Sequence, residues 1–291
     1  MAEKGHDRAL FGPAGNSDSF TDQGYSSYIN IPEYILGMGL DAYEYQCGRG
    51  VKIKPESAAA LGSLAAQHGI VMSVHAPYYI SLSSLDGEKR LNSARYLLQS
   101  AEVVRAMGGR RIVLHSGSAG TQPRKQALAL ARETLRYCLE RLDEAGYGDL
   151  TLCPETMGKV GQLGSLDEVM ELCLLDERLV PCIDFGHLNA RTQGSIQTRE
   201  DYQGIIDVMK NRLGEERMRC FHVHFSKIEY TLGGEKRHLT FTDELFGPEP
   251  LPLMELIAER NLTPTVICES DGTQAEDAVL MKQMYQRQRG A

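Results

Sequence analysis

The chain has 291 residues, a length that suits either two average domains or one α/β barrel of about 250 residues. A net charge of −8 argues against a broad electrostatic footprint for nucleic acid. With 42% apolar and 24% charged residues, usage is ordinary for a globular protein, which excludes a disordered, collagenous or coiled-coil chain. The seven cysteines (47, 138, 153, 173, 182, 220 and 268) are odd in number and lack C-x-x-C spacing. They are expected to be reduced core thiols of a cytoplasmic protein. No apolar run approaches the ~18 residues of a spanning helix, and the N-terminus lacks the apolar stretch of a signal peptide.

Short apolar runs alternate with stretches of helical period, the pattern of repeated βα units. In chain order the strands are predicted at Ala9–Gly12, Ala42–Gln46, Val71–His75, Arg111–His115, Thr151–Glu155, Val180–Asp184, Cys220–His224 and Thr265–Glu269. Helical patterns cover Pro55–His68, Glu88–Met107, Arg124–Ala145, a segment opened by the capping box Ser165/Glu168, Thr198–Leu213, Leu251–Glu259 and Gln274–Gln286. No Pro/Ser-rich linker or charge block marks a boundary, so residues 1–291 are expected to form a single (β/α)₈ TIM barrel. A doubly wound open sheet fits less well: it has fewer strands as a rule, and LFGPAGNS lacks the G-x-G-x-x-G spacing.

The chemistry lies in how the strands end. Six successive strands deliver His75, His115, Glu155, Asp184, the pair His222 and His224, and Glu269 at or near their carboxyl ends. In a barrel those ends converge on the rim where active sites are built. Each residue alone has a structural explanation, as a hydrogen-bonded histidine or a helix cap. Together, imidazoles and carboxylates on one rim point to a site for Zn²⁺ or Mn²⁺. His187 follows Asp184 by three residues across Gly186, which brings it back over the rim. His222 and His224 share a strand face, so one is expected as a ligand and the other as a partner behind the ligands or a substrate contact, in an order the sequence does not fix. His238 is predicted in a loop, GGEKRHLTF.

The series SVHAPY, VLHSG, PETMG, CIDFGH, HVHFSK and ICES resembles the endonuclease IV family, metal-dependent barrels that cut DNA at apurinic/apyrimidinic sites. The likeness runs from Phe11 to Glu269. It implies two or three Zn²⁺ per chain, Mn²⁺ in part: one on His75, His115 and Glu155; a second on Glu155, Asp184, His222 and Glu269; a third on His187 and His238 with an acidic partner. It further implies Glu155 and Glu269 as catalytic residues, Tyr78 as the aromatic that enters DNA, and Arg49, His224 and Lys227 as substrate contacts. The family's Asp-Arg-His for the third metal reads Glu235-Lys236-Arg237-His238 here, so Glu235 serves only through a one-residue shift. The family's Asn-Asp at the end of the sixth of these strands is replaced by His224 and Phe225 of HVHFSK, and CGRGVK offers Arg49 one position off.

The resemblance therefore implies hydrolysis of a phosphodiester beside an abasic site. The alternative is a sugar isomerase or epimerase of the xylose isomerase-like superfamily, with one metal on Glu155, Asp184 and Glu269. A metal-binding module without chemistry is the third reading. A locally basic groove from Arg49, Lys89, Arg90, Arg124, Lys125, Arg191, Lys227, Lys236 and Arg237 is expected to receive DNA. No membrane and no protein partner is implied.

Overall fold

A computed structural model describes residues 6–290. Its strands are β1 Leu10–Pro13, β2 Ala42–Gln46, β3 Val71–His75, β4 Arg111–Leu114, β5 Thr151–Pro154, β6 Cys182–Asp184, β7 His222–Phe225, β8 Lys227–Thr231, β9 Gly234–Leu239 and β10 Thr265–Cys268. Eight of them pair in parallel as β2-β3-β4-β5 and β1-β10-β7-β6. Single parallel bridges, Ala14 with Glu44 and Glu155 with Cys182, join the two groups at both seams, so the strands stand in the ring order of the expected barrel. Each predicted strand lies within two residues of its observed bounds. Gly12 is required where β1 meets β2: a Cβ there would lie 1.8 Å from the Ala42 carbonyl oxygen.

Helices cover the outside, among them Pro55–Gln67, Gly87–Ala106, Arg124–Glu144, Arg199–Leu213 and Gln274–Arg289. Ser165 and Glu168 form the capping box that opens helix Leu166–Cys173. The strands between these helices and the barrel axis read as apolar runs, with Ile112, Val113, Leu114, Leu152, Ile183, Val223 and Val266 fully buried. Alternate residues face the axis. There the lining is polar: hydrogen bonds join Glu44 to Ser73 and His222. Among the described residues no helix is long and apolar enough to cross a membrane, and all seven cysteines are buried, with no disulfide among them.

Two features depart from the sequence reading. Asp184 ends β6 and caps a short helix, Phe185–Arg191, accepting from the His187 amide at 2.7 Å. The segment predicted as a loop around His238 is β9, paired antiparallel with β8 in a hairpin over the rim.

Candidate metal centre

Glu155 lies at the middle of the rim, its side chain 1% exposed. Its Oε2 is 3.2 Å from His75 Nε2 and 3.1 Å from His115 Nε2. Its Oε1 is 3.1 Å from His224 Nδ1 and 3.4 Å from His187 Nδ1. Each oxygen thus faces its own pair of imidazoles, the layout of a carboxylate that bridges two sites. Four groups of ligand atoms result among the described residues, each with all its atoms within 4.8 Å: His75, His115, Glu155; Glu155, Asp184, His224, Glu269; His187, Glu235, His238; and, deeper in the barrel, Cys182, His222, His224.

The local bonding turns ring nitrogens toward these groups. His75 Nδ1 donates to the Ala76 carbonyl at 2.9 Å and His187 Nδ1 to the Thr156 carbonyl at 3.0 Å. His238 Nδ1 meets the Ser226 hydroxyl at 2.8 Å. In each, Nε2 is the nitrogen turned toward a ligand group, the usual disposition of a metal-ligating histidine whose other nitrogen is held by its surroundings. Asp184 Oδ2 is buried without a hydrogen-bond partner, although His187 Nδ1 lies 3.0 Å away out of line. An orphaned, wholly buried carboxylate oxygen among imidazoles fits a divalent cation, and the donor set of nitrogen and oxygen suits Zn²⁺ or Mn²⁺.

Charge follows the same geometry. Burial would raise the Glu155 carboxyl, but His224 and hydrogen bonds from His115 and His187 hold it well below its usual range. Burial opposes protonation of His187, yet the charges of Asp184, Glu155 and Glu235 push it up to about 10. Burial drives His115 down and His222 down to about 4. Glu269 is raised by burial and by the neighbouring Glu155 and Asp184 charges, against the pull of His224. The imidazolium charges balance the carboxylates, a balance that bound dications would take over.

The β8–β9 hairpin supplies the third group by way of a bulge. Glu229 pairs with Arg237 but Tyr230 with Glu235, so Lys236 is left over. In a regular strand residues three apart face opposite sides; the extra residue returns Glu235 and His238 to one side. This is the one-residue shift the sequence demanded, and Glu235 Oε2 lies 3.4 Å from His187 Nε2. Lys236 and Arg237 face away and both bind Glu229. The hairpin is strapped to the β5 loop, with the Glu235 amide donating to the Gly158 carbonyl. Gly234, at φ 91°, has no room for a Cβ, which would lie 2.1 Å from that same oxygen.

A cavity of about 440 Å³ opens over the cluster, its wall completed by Tyr78, Met157, Lys159 and Gln162. The Tyr78 ring is 57% exposed and stacks on His115 at 5.6 Å between centroids, 22° from parallel. Arg49 is exposed on the adjacent turn, where the Gly48 carbonyl accepts from the Tyr78 amide. Arg124 and Arg191 do not reach the cavity as free cations; both donate to the carbonyls of Val160 and Gln162 and hold the β5 loop.

Three site residues stand elsewhere than the sequence reading puts them. His224, expected to touch substrate, is fully buried within the second ligand group, and His222, expected in that group, lies deeper with Nε2 3.0 Å from Glu44 Oε2. Both point inward, but the one nearer the carboxyl end of β7 is level with Glu155. Lys227, also expected to meet substrate, is buried and bound to the Asp243 carbonyl and Glu249 at 2.7 and 2.6 Å. Sequence reasoning missed Glu44, which sits inside β2 rather than at its end and lies 2.9 Å from His224 Nε2. The acidic residue at the centre of AYEYQ, amid strand-forming tyrosines, was the available signal.

Comparison with known proteins agrees with this architecture. Residues 32–285 match the model of the xylose isomerase-like TIM barrel family. An uncharacterized protein of Methanocaldococcus jannaschii is 31% identical over 94% of this chain and 96% of its own. A probable endonuclease 4 of Mycoplasma pneumoniae is 30% identical over 68% of each chain. Among solved structures, endonuclease IV from Thermus thermophilus (TM-score 0.66, 20% identity, 90% of this chain and 93% of that one) and a D-tagatose 3-epimerase-like protein (0.68, 19%, 88% and 91%) share the fold. At those identities the structural likeness is one of fold alone. The chain belongs to the xylose isomerase-like TIM barrel family and, within it, to the relatives of endonuclease 4.

Proposed function

We propose that this protein is a metal-dependent phosphodiesterase that cleaves DNA 5′ to apurinic/apyrimidinic sites, a hydrolase of base excision repair. The observation that carries the reading is the division of Glu155 between two pairs of histidines, with a third ligand group beside them. Two or three Zn²⁺, in part replaceable by Mn²⁺, would be held by His75, His115 and Glu155; by Glu155, Asp184, His224 and Glu269; and by His187, Glu235 and His238. When bound, such ions supply Lewis-acid stabilisation of the phosphoryl oxygens and a water of lowered pKa at neutral pH.

The chain itself contributes position and shape. Glu155 and Glu269 line the cavity and orient the ligand set around the reacting phosphate. Lys159, on the loop fixed by Arg124 and Arg191, offers the cavity a cation for a phosphate oxygen. Tyr78 presents an exposed ring to the base or sugar beside the abasic gap, and Arg49 on the neighbouring turn meets the backbone. Buried cysteines with no disulfide among them suit a cytoplasmic location.

A duplex carrying a tetrahydrofuran abasic analogue tests the reading. Nicking is expected immediately 5′ to the analogue, lost in Glu155→Ala and Glu269→Ala. Intact duplex after prolonged incubation with metal-loaded protein would refute it.

One observation favours a second reading, a metal-dependent sugar isomerase or epimerase. The group Glu155, Asp184, His224 and Glu269 is complete without the others, and the cavity of about 440 Å³ accommodates a small ligand. His75, His115 and the hairpin group have no part in that chemistry, which is why the nuclease reading is preferred. Ketose exchange on a sugar panel, without nicking, would reverse the preference.

A further inference from the structure

We propose that Cys182, His222 and His224 form a separate, thiolate-containing site for one soft cation, of the class of copper(I) or cadmium, set beneath the metal centre and sharing His224 with it. The site goes beyond the proposed function, and only the sharing rests on the metal-centre reading.

Strand register builds this layer. On β6 Cys182 and Asp184 flank Ile183, and on β7 His222 and His224 flank Val223, so each pair faces the barrel axis. Pairing sets Cys182 beside His222 and Asp184 beside His224. The two strands that give Asp184 and His224 to the cluster thus give Cys182 and His222 to the layer below. Ligand atoms of Cys182, His222 and His224 lie within 4.8 Å of one another, and all three residues are fully buried. Among the described residues no other cysteine joins a ligand group.

Two ring nitrogens here are buried without a hydrogen-bond partner, Nδ1 of His222 and Nε2 of His224. An unpaired buried polar atom is costly, and a cation bound by these rings and the thiolate removes that cost. Glu44, also fully buried, adds negative charge beside both rings. Its Oε2 accepts from His222 Nε2 at 3.0 Å, and its Oε1 lies 2.9 Å from His224 Nε2, out of hydrogen-bond line. Ser73 Oγ and Gln46 Nε2 hold the carboxylate, donating at 2.8 and 3.2 Å.

A thiolate with two imidazoles is a softer donor set than the nitrogen and oxygen atoms of the cluster above, so the two layers select different ions. On binding, Cys182 gives its thiol proton to solvent. A neutral imidazole has one lone pair, so His224 serves one layer at a time. Its Nδ1 faces Glu155 and Glu269 at 3.1 and 3.5 Å, and its Nε2 faces the layer of Glu44. A soft cation at depth therefore takes His224 from the second ligand group and antagonises the ions above.

The test adds Cd²⁺ to the metal-free full chain before and after refolding, so that burial does not bar access. An ultraviolet thiolate-to-cadmium charge-transfer band with the amplitude of a single thiolate is expected, together with a ¹¹³Cd resonance in the downfield range of thiolate ligation. Cys182→Ser should lose both. Mn²⁺ held at about ten times its dissociation constant is expected to raise the Cd²⁺ concentration for half the band about tenfold, through competition for His224. No band in the folded wild type, an equal band in folded Cys182→Ser, or a half-band concentration indifferent to bound Mn²⁺ overturns the proposal. Should Cys182→Ser fail to fold, a band of undiminished affinity in His222→Gln overturns it instead. None of these readouts uses nicking, so failure of the nuclease reading is separately visible. A chain that shows the band but binds no Mn²⁺ supports the deep site and overturns the metal-centre reading, and the sharing with it.

Discussion

Glu155 concentrates the energetics of the site in one side chain. Removing it leaves four imidazoles without their shared buried partner, and breaking a buried charge pair costs about 3–5 kcal/mol. Glu155→Ala is therefore expected to lower the melting temperature of the metal-free protein and to lose the metals of both adjoining groups. A change below about 1 kcal/mol in denaturant unfolding would show that the pairs are not formed. His187 gives a pH dependence of known sign. Its folded pKa of about 10 lies above the ordinary value near 6.5, so its contribution to metal-free stability is full below about pH 6.5 and is lost as pH rises toward 10. The gap in melting temperature between wild type and His187→Gln should narrow over that window; a widening gap contradicts the assignment. Since the same proton must leave for a metal to bind, metal affinity should rise with pH through neutrality, with proton release visible in calorimetry across buffers of different ionisation enthalpy.

The hairpin and the strands show what a sequence can and cannot disclose at the next scale. The barrel strands were legible because RIVL and TVIC are apolar runs ending in His115 and Glu269. Strand β9 was not, because GEKRHL is short, charged and opens on the second residue of a Gly-Gly pair, features that also describe a loop. The ranking of His222 against His224 was likewise hidden: two residues on one strand face differ only in height along the axis, which pairing register decides. Glu44 escaped because it lies in the middle of its strand, away from the carboxyl ends where barrel sites are built. The bulge account makes its own prediction. Deleting Lys236 removes the extra residue and leaves Glu235 and His238 two apart on one regular strand face, so the third metal should be retained. Loss of one equivalent in a folded deletion variant would contradict the bulge as the device that joins them.

Across the whole molecule the charge balance now has a location. The net −8 coexists with several carboxylates gathered at one rim, where two or three dications would offset them. Many of the cations expected to line a DNA groove are engaged in the fold: Arg124 and Arg191 hold the β5 loop, Lys227 binds Glu249, and Lys236 and Arg237 bind Glu229. Arg49, Lys89, Lys125 and Lys159 remain for phosphates. At about −0.9 in log–log slope per neutralised phosphate, DNA affinity is expected to fall with salt at a slope no steeper than about −4. A slope near −8 would mean that a larger basic surface takes part.

Metal content per chain tests the central claim most directly. Elemental analysis of the purified full-length protein, calibrated by amino-acid analysis, is expected to give two equivalents of zinc or manganese from the groups that share Glu155 and a third from the hairpin group. His238→Ala should remove the third and leave the other two. One equivalent or none would contradict the account of Glu155 as a carboxylate shared between two metals.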